Sequence, residues 1–297
     1  MNKKLINYCR LVSITGLLFY ASGNMLHNRI SASEILNQQQ DFQSIDIFIG
    51  DGKLTILEGD SYSITTSDNI DYIIENGELK IYQGSTKNSL ISNWLLSVVT
   101  DEVSVLVTVP ADATLETVDI ELGVGSVNVN SLTAEALELK LGVVESTLSS
   151  INAPTIVIDN GIGKCRANNL IASQIQVNGG IGEININSIA TNLLEIGVGI
   201  GGIDISKLSA NEIEVMGGIG SLNLEGEFDY AIVKAGMGEL FLRTSNPYNY
   251  YSYLLDNGMG SAKINGTKIS SHVNYKIGIN PTIQIEADIG SVNIFTN

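Results

Sequence analysis

From Leu122 to the end of the chain, apolar and polar residues repeat at fixed intervals around a Gly-x-Gly signature. The signature appears as Gly123-Val124-Gly125, Gly161-Ile162-Gly163, Gly180-Ile181-Gly182, Gly199-Ile200-Gly201 and Gly218-Ile219-Gly220. It continues as Gly236-Met237-Gly238 and Gly258-Met259-Gly260, with the variants Gly142-Val143-Val144 and Asp288-Ile289-Gly290. Taking the third residue as origin, positions 125, 144, 163, 182, 201 and 220 are spaced by 19, and 238, 260 and 290 mark one deletion and two insertions. Two and four residues after an origin lie aliphatic pairs such as Ile184 and Ile186 or Ile203 and Ile205, with a polar residue between them. Twelve and fourteen after lie pairs such as Ile175 and Val177. Each alternation is that of a half-buried strand. One coil alone cannot bury its apolar face, so the repeat predicts stacking. The fold class is all-β: a parallel β-solenoid of about nine coils, on the order of 40 Å long at ~4.8 Å per coil.

Upstream, alternation predicts strands at Ser44–Ile49, Lys53–Leu57, Tyr62–Thr66, Ile70–Ile74 and Glu78–Tyr82, with Asp51-Gly52 and Asn76-Gly77 as hairpin turns. Residues 84–101 break the pattern and hold the single tryptophan; they read as a cap over the open end of the solenoid. A partner- or membrane-facing segment is the alternative. Val103–Pro110 then leads into the first coil without a flexible linker. The predicted organisation is 1–33 as leader, 34–121 as an N-terminal β region and 122–297 as repeats continuous with it.

The glycines predict corner geometry before chemistry. Asp288 replaces the first glycine once, and Val144 replaces the second once. That places a left-handed turn residue at the first position and a crowded corner at the second. Neither resembles a phosphate cradle, which needs a following helix and a set partner residue. No cofactor or metal is expected, and with His27 and His272 as the only histidines a His-centred site is disfavoured.

Charge sharpens the picture. Four basic residues (Lys3, Lys4, Arg10, Arg29) precede the first acidic one, Glu34; the other twelve face thirty-two carboxylates, leaving −20 from there onward. Such a surface repels nucleic acid. The basic start followed by LVSITGLLFYA (11–21) has the layout of an export signal, cleaved or kept as a membrane anchor. Cys9 lies ahead of the apolar stretch, and Cys165 occupies a core slot, so no disulfide framework is expected.

The insertion before Gly260 carries Tyr248, Tyr250, Tyr251 and Tyr253. Register turns Tyr253 and Leu255 inward, leaving Tyr250 and Tyr251 as candidate ligand contacts.

The run VSVLVTVPADATLETVDIELGVGSVNV (103–129) and the Gly-x-Gly coils after it resemble the bacterial "putative adhesin" β-strand-repeat family, related to GIN-type adhesin heads. The resemblance spans roughly 42–297. It implies a β-solenoid on an exported or membrane-anchored protein, and brings no catalytic residues. The chain departs from a cell-wall adhesin in ending inside a coil, at Ile294-Phe295-Thr296-Asn297, without a sorting signal.

The expected function is therefore a non-enzymatic surface or envelope module for a protein or glycan ligand, with self-association through an exposed C-terminal coil as a further expectation. A membrane-anchored stress or signalling partner is one alternative. The other is a β-helix polysaccharide lyase or hydrolase, for which Arg166 and Asp204, two coils and about 10 Å apart, are poorly placed.

Overall fold

Alternation makes strands, and stacking makes them a fold. A computed structural model of the chain describes residues 41–67, 70–83, 103–270, 272–275 and 281–297. The predicted leader (1–33) and capping insertion (84–101) lie outside the described residues. Residues 38–297 form one unit. Its strands are β1 (Ser44–Gly59), β2 (Ser63–Thr66), β3 (Asp71–Glu75), β4 (Glu78–Tyr82), β5 (Val103–Pro110) and β6 (Leu115–Asn152). They continue as β7 (Thr155–Ile171), β8 (Gln174–Arg243), β9 (Ser252–Ile264), β10 (Thr267–Ile269), β11 (His272–Tyr275) and β12 (Thr282–Phe295). All belong to one sheet. The long strands run around several coils without a break, so the predicted solenoid is the observed architecture.

Successive coils pair in parallel at the 19-residue offset: Ala136 with Thr155, and Thr155 with Gln174. This puts like residues in columns. Val127, Cys165, Ile184, Ile203 and Leu222 form one buried column; Leu139, Ile158, Val177, Ile196 and Val215 form another. Burial raises the Cys165 thiol above its ordinary range, which suits a small core residue. Each fully buried Val, Leu or Ile contributes about 1.5–3 kcal/mol of transfer free energy.

The coils are not laid down in sequence order. β1 is one continuous coil whose Asp51 pairs with Val124 and whose Gly52 pairs with Gly125. Asp51-Gly52 is therefore a repeat corner and not the predicted hairpin. A hairpin would send the second arm back antiparallel, whereas both arms of β1 run parallel to β6. β4 and β5 lie on the other side of β1 and form a further level beyond it. The short strands β3 and β2 close that level by antiparallel pairing. Asn76-Gly77 does make the predicted hairpin, with φ of 53° and 78°.

The other end repeats the device. β12 lies between β8 and β9, with Gly290 paired to Gly238 on one side and Gly260 on the other. The C-terminal coil is covered on both edges, which corrects the expectation that it is exposed. The chain passes over one level to lay β9, folds β10 and β11 back antiparallel, and returns to fill the gap. The two insertions in the repeat supply the length for this detour.

The corner glycines also differ from expectation. The positive φ falls on the second glycine of each signature, from 131° at Gly125 to 156° at Gly260, and not on the first. Both positions are crowded by the coil below. A Cβ on Gly142 would lie 2.3 Å from the Gly123 carbonyl oxygen, and one on Gly201 would lie 1.6 Å from that of Gly182. Val144 reversed the assignment at the sequence level. It is a local exception that turns its side chain into the core, and the pairing steps from Val143–Ile162 to Ser146–Cys165.

Two outcomes follow. Gly201→Ala meets both positive φ and a backbone oxygen and should cost several kcal/mol in urea denaturation, whereas Gly266→Ala (φ 77°, open space) should cost about 1 kcal/mol. Deleting 282–297 removes Ile283, Ile285, Val292 and Ile294 from the core, on the order of 6–12 kcal/mol of burial. Hydrogen exchange should then show β9–β11 unprotected while β6 and β7 keep their protection.

Candidate functional site

With the core columns accounted for, the surface presents three features. The first is a row of aliphatic side chains at the corner. The middle residue of every Gly-x-Gly points out: Val124, Val143, Ile162, Ile181, Ile200, Ile219, Met237, Ile289 and Met259 are between 41% and 67% exposed. Pairing stacks them, as in Val143–Ile162–Ile181 and Met237–Ile289–Met259. The result is a continuous apolar spine that begins beside Asp51 of β1. Nine half-exposed aliphatic side chains in one unbroken row form a contiguous apolar patch, which a scatter of single surface aliphatics does not. Sequence reasoning took the glycines and passed over the residue between them. The signal was present: Val, Ile or Met recurs in all nine signatures, at a place where the flanking glycines mark a corner.

The second feature is a shallow open groove of about 580 Å³. It forms where the coil between origins 220 and 238 is one residue short. Gly226, at φ 156°, takes up the difference by lying against the Leu208 carbonyl, where a Cβ would sit 2.0 Å from the oxygen. Hydroxyls of Ser188, Ser206 and Ser209 line the groove, with Lys207, Glu225 and Arg243. Ser245 Oγ donates to Glu227 Oε1 at 2.6 Å along one wall. Asn297, also in the lining, ties the tyrosine insertion to this end of the groove: its carbonyl accepts from Tyr248 N at 3.0 Å.

The third feature is that insertion. Tyr248–Tyr250 form a 3-10 turn. Tyr250 is 38% exposed, and its hydroxyl donates to Asp229 Oδ1 at 2.6 Å. That carboxylate pushes the Tyr250 pKa up to about 12. Tyr248 is similarly exposed and stacks on Tyr253 at 5.0 Å. Tyr251, expected at the surface, is fully buried. Its ring fills a core position beside Phe228 at 5.5 Å, and its hydroxyl donates to the Phe228 carbonyl at 2.7 Å while accepting from Asn246 Nδ2 at 2.8 Å. The insertion lets a tyrosine reach a backbone carbonyl that no aliphatic could satisfy. Tyr253 and Leu255 point inward, as the register requires.

The candidate enzymatic pair does not meet. Arg166 lies 3.9 Å from the Glu145 carboxylate, and Asp204 accepts from Asn223 Nδ2 at 3.4 Å. Among the described residues no group of metal-type ligands gathers, and no helix is long and apolar enough to cross a membrane.

Fold and surface together define a parallel β-solenoid with antiparallel caps, wound out of sequence order at both ends. The chain belongs to the Toastrack DUF4097 family, whose model matches residues 41–294. Among solved structures it is similar to a "putative adhesin" of Bacteroides fragilis, at 12% identity and TM-score 0.46, over 87% of this chain and 93% of that one. It is similar also to a "putative lipid binding protein" of Parabacteroides distasonis, at 13% identity and TM-score 0.40, over 86% and 93%. A third is a "putative cell adhesion protein" of Clostridium sporogenes, at 16% identity and TM-score 0.21, over 87% and 94%. No curated protein matches the chain.

The two tyrosines separate cleanly in a mutational test. Tyr251→Phe leaves the Phe228 carbonyl and Asn246 amide short of a buried partner and should cost about 1–3 kcal/mol. Tyr250→Phe should stay within about 0.5 kcal/mol of wild type in the same denaturation experiment.

Proposed function

We propose that the chain is a non-enzymatic binding module of the cell envelope that takes a hydroxyl-rich ligand, such as a glycan, in the groove between Ser188 and Asn297. The groove composition carries this reading. Carboxylates, a guanidinium, an ammonium and several hydroxyls share one open depression, offering donors and acceptors in alternation to a chain of sugar hydroxyls. Tyr248 and Tyr250 stand at the same end and extend it with aromatic surface. A site built on stacked strands is rigid, so little ordering entropy opposes binding.

Export is supported by the basic-then-apolar start of the sequence. A leader that stays in place gives a tethered module, a cleaved one a released module. N-terminal sequencing of the protein recovered from membranes distinguishes them.

The test is binding to an oligosaccharide array followed by titration calorimetry on the best ligand. Arg243→Ala and Glu227→Ala should each weaken binding at least tenfold, about 1.4 kcal/mol, with the β-sheet circular dichroism unchanged. Wild-type affinity retained in both variants would remove the groove from consideration. Release of reducing ends, lost on Asp204→Asn, would establish the polysaccharide-cleaving alternative instead.

A further inference from the structure

We propose that the aliphatic spine is an interface for a second copy of this chain, with the two solenoids side by side and parallel about a two-fold axis along the stack. The inference is independent of the groove reading.

The spine has a defined shape. Its side chains follow one another at the strand spacing of ~4.8 Å, which leaves no hole between neighbours along the row. On either side runs a column of glycines, the first and second residues of each signature, broken only by Val144, whose side chain is buried, and by the exposed Asp288. The spine is thus a ridge between two smooth strips. Antiparallel two-fold packing would set ridge directly on ridge. Parallel two-fold packing offsets the ridges sideways, so that each lies in the other copy's glycine strip. Only the second arrangement fills space as interfaces require.

The columns beyond the glycines fit it. Parallel packing brings the residue four before an origin in one copy towards the residue one after the same origin in the other. At successive levels these are Lys140 and Glu145, Asp159 and Lys164, and, further along, Lys234 and Glu239. All three are opposite in sign. All three lysines also have partners in their own chain, Glu138, Glu183 and Glu286. At the centre, beside Ile200, both positions are glycine, Gly197 and Gly202, so the copies can approach there most closely. No level pairs like charges across these two columns.

The area suffices. Nine levels span roughly 40 Å, and the six positions from one flanking column to the other follow a contour of roughly 17 Å, together at most about 700 Å² per copy. A standard specific interface buries about 800 Å² per partner.

The test uses the full chain in a mild non-ionic detergent. Sedimentation velocity at micromolar concentration should show a dimer. Ile200→Glu combined with Ile219→Glu should give a monomer with unchanged circular dichroism. In a Cys9→Ser background, Val143→Cys and Ile289→Cys should each form a disulfide with its own copy, since parallel packing places every level against itself. Lys164→Glu should weaken the dimer at least fivefold, and adding Asp159→Lys should restore it. A monomeric wild type, or a dimer that survives both glutamates, overturns the proposal. So does self-crosslinking of Ile200→Cys without that of Val143→Cys, the antiparallel result. Monomeric wild type that floats with phosphatidylcholine vesicles, lost in the double glutamate variant, would assign the spine to a lipid surface and overturn it equally.

Discussion

Backbone lies against backbone at the Gly-x-Gly corner, and every other feature of this molecule depends on that approach. At Gly201 a Cβ would fall 1.6 Å from the carbonyl oxygen of the coil below, so no side chain is admissible. Parallel strands fix the coil spacing at ~4.8 Å, and a corner must turn within that height. Glycine provides the positive φ and the clearance together. Once the corner is fixed, the residues two and four after it can fall only into the core columns. The 19-residue period is the length of chain needed to leave one such corner and reach the next.

A stack built this way has two open ends, and an exposed strand edge invites pairing with other chains. Here both ends are managed alike. The first coil of the chain lies beneath β4 and β5, and the last lies between β8 and β9. Short antiparallel strands then cover the outermost levels. Because β1 and β12 have neighbours on both edges, neither the first nor the last described coil of the chain leaves the sheet without breaking two rows of hydrogen bonds. The out-of-order winding thus converts a one-dimensional repeat, which could fray from its ends, into a closed topology.

Periodicity made the coil legible, because burial on one face of a strand leaves a two-residue signature and a repeat multiplies it. Asp51-Gly52 shows where such reading stops. Its dipeptide is that of a hairpin, and only its pairing with Val124 and Gly125 makes it a repeat corner. The order of the last two coils was equally hidden, since an insertion reports extra length and not where the chain travels. Tyr251 was misplaced because its burial depends on a carbonyl of Phe228, 23 residues away. The groove arises from a single missing residue, visible as an 18-residue spacing whose shape consequence needs the coil below.

The spine stands apart from these cases, since its composition was plain and its meaning came only from elimination. A core column is apolar because water must be excluded; this column is apolar and faces water. Folding gives no return for that, and isolated surface aliphatics would not recur at nine successive levels. Glycine on both sides does not require an aliphatic between them either, because Asp51 occupies the same place in β1 without disturbing the pairing. The corner therefore tolerates a charge, and the other nine levels carry none. Short antiparallel strands cover part of the outermost level at each end of the stack. Lateral contact through the spine would bury that apolar surface.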